Sequence, residues 1–227
     1  KAFSITPKAA TITAKAQTIA YGTSISTELS EIEDSGFIEG DTVCSVTLSP
    51  STAEVTTEGT ITPSALDIKR SGTEVTNNYA ITYTDGNLTI TADSMTVTAS
   101  EYSGTYDSAA HGITVTAPEG ATVKYGTAED SCTSETNITY TNVGTYTVYY
   151  EVTKANYTTV TGSKTITITA KALTITANDQ SITHGTDISA LVSDVTVEGL
   201  EGEDALDSIT LIPSTTAVTT TGTITPS

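Results

Sequence analysis

Tryptophan is absent from this 227-residue chain, and methionine (one), phenylalanine (two) and cysteine (two) are nearly so. With so few large apolar groups and only 37 % hydrophobic residues, a single thick core is excluded. Several small cores built from Val, Ile, Leu, Ala and Tyr are expected instead. Cationic residues are scarce as well: nine Lys and Arg stand against 27 Asp and Glu, for a net charge of −18. Nucleic-acid binding needs clustered cations that release phosphate counterions, so nucleic acid is excluded as a partner. An anionic membrane surface is excluded on the same ground. The acidic balance is read as a solubility charge. No apolar run is long enough to span a bilayer and no signal peptide is present, so membrane insertion is not expected and the sequence reads as an internal piece of a longer chain. Cys44 and Cys132 have neither metal nor thiol-redox spacing, and are expected to be lone buried or half-buried thiols.

Thr and apolar residues alternating with period two dominate what is there. Tyr79–Tyr83, Leu88–Thr91, Ile113–Thr116, Tyr146–Tyr150 and Thr165–Thr169 read as strands. Asp85-Gly86-Asn87 reads as a tight hairpin turn between Ile81–Tyr83 and Leu88–Ile90, with Gly taking a positive φ. Pro118-Glu119-Gly120 and Asn142-Val143-Gly144 read as similar turns. Helical spacing is weak; short helices are expected only near Gly40-Asp41-Thr42 and Glu203–Leu206, where Asp could cap. The expected class is all-β, with small Ig-like or sandwich-like domains arranged end to end as a rod. β-grasp-like units with a short helix are the second choice.

The chain repeats itself. Lys8-Ala9-Ala10-Thr11-Ile12-Thr13-Ala14 recurs as Lys171-Ala172-Leu173-Thr174-Ile175-Thr176-Ala177, a shift of 163 (171 minus 8). The same shift carries Tyr21-Gly22-Thr23 onto His184-Gly185-Thr186 and Gly59–Ser64 onto Gly222–Ser227. Thirty of the 57 pairs between residues 8 and 64 are identical without a gap. A different unit lies between the copies. The expected division is 1–7, the closing strand of a preceding repeat; 8–92, a first repeat; 93–170, a central Ig-like repeat; and 171–227, a second, truncated copy of the first. That copy lacks a counterpart of Ala65–Ala92, so its missing strands are expected from outside these residues, in the same or a neighbouring chain. The junctions Leu88–Ala99 and Thr165–Ala177 contain no Gly or Pro, which predicts stiff end-to-end packing rather than flexible linkers.

Tyr21-Gly22, Gly36-Phe37-Ile38-Glu39-Gly40-Asp41-Thr42, Asn78–Tyr83 and Gly86–Thr91 together resemble the MBG domain of YGX type, over 8–92 and in part over 171–227. The third repeat departs from the pattern with His184 in place of Tyr and Glu203 in place of Gly. The central unit, with Tyr102-Ser103-Gly104, Tyr106-Asp107, Ala110-His111-Gly112 and Gly144–Val148, resembles the Ig-like YDG-type repeats that accompany such arrays. The resemblance implies an extracellular, cell-surface or cell-wall setting in bacterial adhesin-like proteins, with neighbouring repeats as partners. It brings no catalytic residues and no cofactor.

Candidate chemistry is sparse. Cys132 and His111 are the one conceivable nucleophile–base pair within a unit; His111 beside Gly112 reads more plainly as a turn residue. Glu31–Asp34 and Glu198–Asp204 lack the alternation of a calcium loop and read as solvated loops. Lys8, Lys171, Gln17 and Gln180 recur at matching positions, as side-chain crosslinks would require; the plainer reading is a packed Lys stem with its amine in water. Tyr149 and Tyr150 are consecutive and so face opposite sides of a strand. They are the candidate contacts for a host glycan or extracellular protein, set against ordinary cross-strand packing. The function expected is a non-catalytic spacer or stalk.

Overall fold

In a computed structural model describing residues 1–227, the chain is all-β and built of several small sheets. Its helical pieces are single 3-10 turns at Leu29–Glu31, Thr76–Asn78 and Val192–Asp194. Two compact units are formed: Lys1–Thr96 with Pro118–Thr122 and Thr153–Val160, and Val97–Ala117 with Val123–Val152 and Thr161–Ser227.

The first unit contains β1 (Lys8–Ala14), β2 (Gln17–Ala20), β3 (Ile32–Ser35), β4 (Asp41–Pro50), β5 (Thr56–Arg70), β6 (Thr73–Glu74), β7 (Tyr79–Thr84) and β8 (Gly86–Thr91). One sheet runs β3-β1-β7 and the other β2-β8-β5-β4, with β6 on β5. The period-two pattern sends Ala10, Ile12 and Ala14 of β1 inward, together with Ile61, Leu66 and Ile68 of β5 and Leu88 and Ile90 of β8. Each fully buried aliphatic side chain here stabilises the fold by about 1.5–3 kcal/mol.

Several expectations are corrected. Asp85-Gly86-Asn87 does not close a hairpin: β7 pairs parallel to β1 (Lys8↔Tyr79 to Thr13↔Thr84), and β8 pairs parallel to β2 (Gln17↔Leu88 to Ala20↔Thr91). The segment steps from one sheet to the other. Gly86 is required for space, since a Cβ there would sit 2.5 Å from the Ala14 carbonyl oxygen and 2.6 Å from that of Lys15. No helix forms at Gly40-Asp41-Thr42 or Glu203–Leu206. Asp41 opens β4, its carboxylate held by Arg70 and Tyr79 instead of capping a helix. Ile32–Ser35 is a strand paired with β1, not a loop. Residues 1–7 pair with no strand among residues 8–227, leaving Phe3 and Ile5 87 % and 85 % exposed. Pro118-Glu119-Gly120 does turn as expected, with Gly120 at φ +77° and the Ala121 N–H donating to the Pro118 carbonyl at 3.1 Å.

The second unit contains β9 (Thr98–Ser100), β10 (Tyr102–Thr105), β11 (His111–Gly112), β12 (Thr114–Thr116), β13 (Thr122–Gly126, from Val123 on), β14 (Thr139–Tyr140), β15 (Gly144–Thr153) and β16 (Val160–Thr169). It continues with β17 (Thr174–Ala177), β18 (Val195–Glu198), β19 (Leu211–Pro213) and β20 (Ile224–Pro226). The largest sheet is ordered β10-β16-β15-β13. Ile113, Val148, Ile166 and Ile168 form its core, with Tyr102, Tyr106, Tyr125, Tyr140, Tyr146 and Tyr150 packed around them. Tyrosine thus supplies the bulk that the missing Trp and Phe would provide.

Candidate functional site

Several long-range polar contacts of the first unit converge on Asn156, in the turn between β15 and β16. Asn156 adopts φ +67°, a left-handed conformation that Asn tolerates better than most residues. This turn points its side-chain amide at the β4–β5 loop: the Val55 N–H donates to Asn156 Oδ1 at 3.0 Å, and Asn156 Nδ2 donates to the Glu54 carboxylate. Its backbone is held too. The Asp93 N–H donates to the Asn156 carbonyl at 3.1 Å, and the Thr158 N–H to the Asp93 carbonyl at 2.8 Å. Next to it, the Tyr157 ring meets Tyr21 edge-on at 5.5 Å between centroids, and Lys154 Nζ sits 5.0 Å above the Tyr157 ring. Lys154 also donates to the Glu119 carbonyl at 2.9 Å. The Tyr21-Gly22 turn and the Glu54-Val55 loop of the first repeat thereby form a seat for a Lys-Ala-Asn-Tyr turn 100 residues downstream. Sequence reasoning missed Asn156; an Asn between two alternating runs is its only local signal.

A second polar centre lies in the first repeat. Asp41, its side chain 3 % exposed, accepts from Arg70 Nε at 2.5 Å and from the Tyr79 hydroxyl, which itself accepts from the Ile38 N–H at 2.9 Å. Arg70 and then Tyr79 hold the Asp41 carboxyl below the usual aspartate value. Phe37 packs edge-on against Tyr79 at 5.0 Å. The trio thereby ties β4, β5 and β7 together.

Tyr149 and Tyr150 do face opposite ways. Tyr150 packs on the Val148–Ile166–Ile168 core, whereas Tyr149 takes no part in it. Both border a shallow cleft of about 210 Å³ whose wall also carries Glu129, Asp130, Cys132 and Glu151, small beside the ~300–1,000 Å³ of ordinary ligand pockets. Burial, then the Glu151 and Asp130 charges, push the Cys132 thiol up, the opposite of what activates a nucleophile. Cys44 is exposed rather than buried, and both thiols are free.

His111 is committed elsewhere: its Nε2 lies 2.8 Å from Asp107 Oδ1 and 3.1 Å from the Tyr102 hydroxyl, with the Tyr102 ring stacked on the imidazole at 3.9 Å. Both contacts fall on one nitrogen, whereas a proton relay needs an orienting group on one side of the ring and a substrate on the other. No group of three or more His, Cys, Asp or Glu side chains is placed to hold a metal ion. Gln17 and Gln180 are loop clamps. Each donates to and accepts from one backbone residue nine positions on, Ser26 at 2.9 and 2.8 Å and Ser189 at 2.8 and 2.9 Å. Lys8 donates to the Gly36 carbonyl and Lys171 to the Glu201 carboxylate, both from the surface.

No curated protein matches this chain. Among protein families, the MBG domain (YGX type) matches residues 10–89, the stretch that spans β1 to β8 and includes the Tyr21-Gly22 turn, the Asp41 trio and the Glu54-Val55 seat. MBG domains are repeat modules of surface proteins, of a non-catalytic structural or binding type. Residues 10–89 of this chain are thus similar to the MBG domain of YGX type.

Proposed function

We propose that this chain is a non-catalytic spacer, a stalk segment of a bacterial cell-surface adhesin-like protein in which small β modules follow one another as a rod. The observation that carries this reading is the Asn156 turn seated on the Tyr21 and Glu54-Val55 loops. A side-chain amide bonded on both its oxygen and its nitrogen, flanked by a ring contact, resists hinge motion in a way that a solvated linker does not. The Gly- and Pro-free connections on either side of the central repeat act in the same direction. Solution scattering tests the reading. A compact 227-residue globule has a radius of gyration of about 17 Å; the spacer reading expects a value well above that and a distance distribution with a long tail. A value near 17 Å overturns it.

A second reading is favoured by the cleft beside β15. Tyr149 and Tyr150 border it together with Glu129, Asp130 and Glu151, a ring-and-carboxylate lining suited to the apolar face and hydroxyls of a sugar. In this reading the chain is a binding module for a host glycan or extracellular protein, with Tyr149 as the ring on offer, since the Tyr150 ring is packed on the Val148–Ile166–Ile168 core. A saturable signal on a glycan array that Tyr149→Ala abolishes supports it; no saturable signal rules it out for glycans.

A further inference from the structure

Three asparagines stand two positions before a threonine: Asn87-Leu88-Thr89, Asn137-Ile138-Thr139 and Asn156-Tyr157-Thr158. That spacing, with a middle residue other than proline, is the acceptor pattern for an asparagine-linked glycan. Alternating Thr makes the spacing easy to reach in this chain, so the pattern alone selects none of the three. The fold does select. A linked sugar leaves the side-chain nitrogen one of its two protons and needs open space around it.

Two of the three nitrogens lack that space. Asn137 Nδ2 donates to the Ile113 carbonyl at 2.6 Å and packs so closely on Gly112 that a Cβ there would lie 2.7 Å from it. Asn156 Nδ2 is held by the Glu54 carboxylate while its Oδ1 accepts from the Val55 N–H. Asn87 differs. It sits in β8, where period two buries Gly86, Leu88 and Ile90 and turns Asn87 outward, exposed and hydrogen-bonded to no other group of the chain through its side chain. Thr89 lies on the same outer face, so the strand presents the amide and the hydroxyl side by side. Across the ladder the neighbour of Asn87 is Thr60, a small hydroxyl that leaves room for a sugar. Asp85, exposed two positions earlier, adds a carboxylate that a cationic enzyme groove can grip.

We infer that Asn87 is an acceptor for an asparagine-linked oligosaccharide, taken before or while β8 joins its sheet and carried afterwards on the outer face of the first repeat. In the transfer, Asn87 Nδ2 bonds to the anomeric carbon of a sugar held on a lipid pyrophosphate. The bond from that carbon to the phosphate oxygen breaks, and the lipid pyrophosphate leaves with the electron pair. The amide proton passes to a base of the transferring enzyme. Leu88, between Asn87 and Thr89, stays in the core at 0 % exposure. The sugar therefore adds bulk on the solvent side alone, and the ladders of β8 with β2 and β5 stand as before.

The test secretes the full 227-residue chain from cells that express an oligosaccharyltransferase and its lipid-linked donor, then reads the intact mass and peptide map of the folded protein. A synthetic peptide of residues 83–93 is offered to the same enzyme and should be modified at Asn87. The chain should gain the mass of one oligosaccharide there. Occupancy should exceed that of Asn137 and Asn156 at least about tenfold, the bias that one forfeited hydrogen bond gives. Thr89→Ser should keep the gain, whereas Thr89→Val and Asn87→Gln should abolish it. The urea midpoint of the modified chain should equal that of the unmodified one. Any of five results overturns the inference: an unmodified peptide, a chain without the mass gain, a gain that survives Asn87→Gln, equal occupancy at the three asparagines, or a midpoint lowered by the sugar.

Discussion

Asn156 Oδ1 accepts a hydrogen bond from the Val55 amide across 101 positions of sequence, while the amide nitrogen of the same side chain holds the Glu54 carboxylate. One residue thus closes both the oxygen and the nitrogen of its side chain on a loop about 100 residues upstream within the same compact unit. Asn156→Gly keeps the left-handed backbone accessible and deletes only the amide. Urea unfolding should show a loss of about 1–2 kcal/mol, two partly exposed hydrogen bonds' worth. Asn156→Ala should lose about 1 kcal/mol more, because an L side chain resists φ +67°. Equal stability of the three proteins would mean that the turn is not anchored.

Acid should weaken the Asp41 trio. Arg70, then Tyr79, hold the Asp41 carboxyl below the ordinary aspartate value, and His111 followed by the Ala109 N–H does the same for Asp107. A carboxyl lowered in the folded state binds protons more weakly there than in the unfolded chain. Its stabilisation is therefore complete above the unfolded value, about 3.9, and is lost as pH falls through the lower folded value. Urea midpoints should hold steady from neutral pH to about 5 and drop below about 4. Asp41→Asn should flatten that acid limb; an unchanged limb would place the sensitivity elsewhere.

Two glycines of the first repeat should respond differently to the same change. Gly86→Ala drives a Cβ to 2.5 Å from the Ala14 carbonyl oxygen, a backbone clash that no rotamer relieves, and should cost about 3 kcal/mol. Gly40→Ala meets open space and only the strain of φ +87°, about 1 kcal/mol. Thermal denaturation of the two variants side by side measures the difference.

The adjacent tyrosines of β15 provide a matched pair. Tyr150→Ala removes a ring from the Val148–Ile166–Ile168 core and should destabilise the second unit by about 2–3 kcal/mol. Tyr149→Ala, on the opposite face, should stay within about 0.5 kcal/mol. Chemical denaturation followed by far-UV circular dichroism reads both. A reversed order would mean that the two faces of the strand have been exchanged.

Strands were legible from alternation, because a half-buried sheet demands period two wherever its partner lies. Partner choice was not. Tyr79–Thr84 and Gly86–Thr91 look like a hairpin locally, yet they bond to β1 and β2, some 70 residues upstream, and alternation is the same for a near partner or a far one. Asp41 looked like a helix cap because capping is a local device; its true partners, Arg70 and Tyr79, lie 29 and 38 residues away. Duplication was legible, and it carries register along with residues: Leu211↔Pro226 repeats Leu48↔Pro63. Asn156 was the least readable, its role being set by a loop about 100 residues away in sequence.

Amide hydrogen exchange on the full chain and on Asn156→Gly tests the central claim most directly. If the turn locks successive repeats together, Val55, Asp93 and Thr158 should exchange slowly in the wild type and speed up together in the variant, while amides of the β1–β7 ladder keep their protection. Fast, independent exchange of those three amides in the wild type would contradict it.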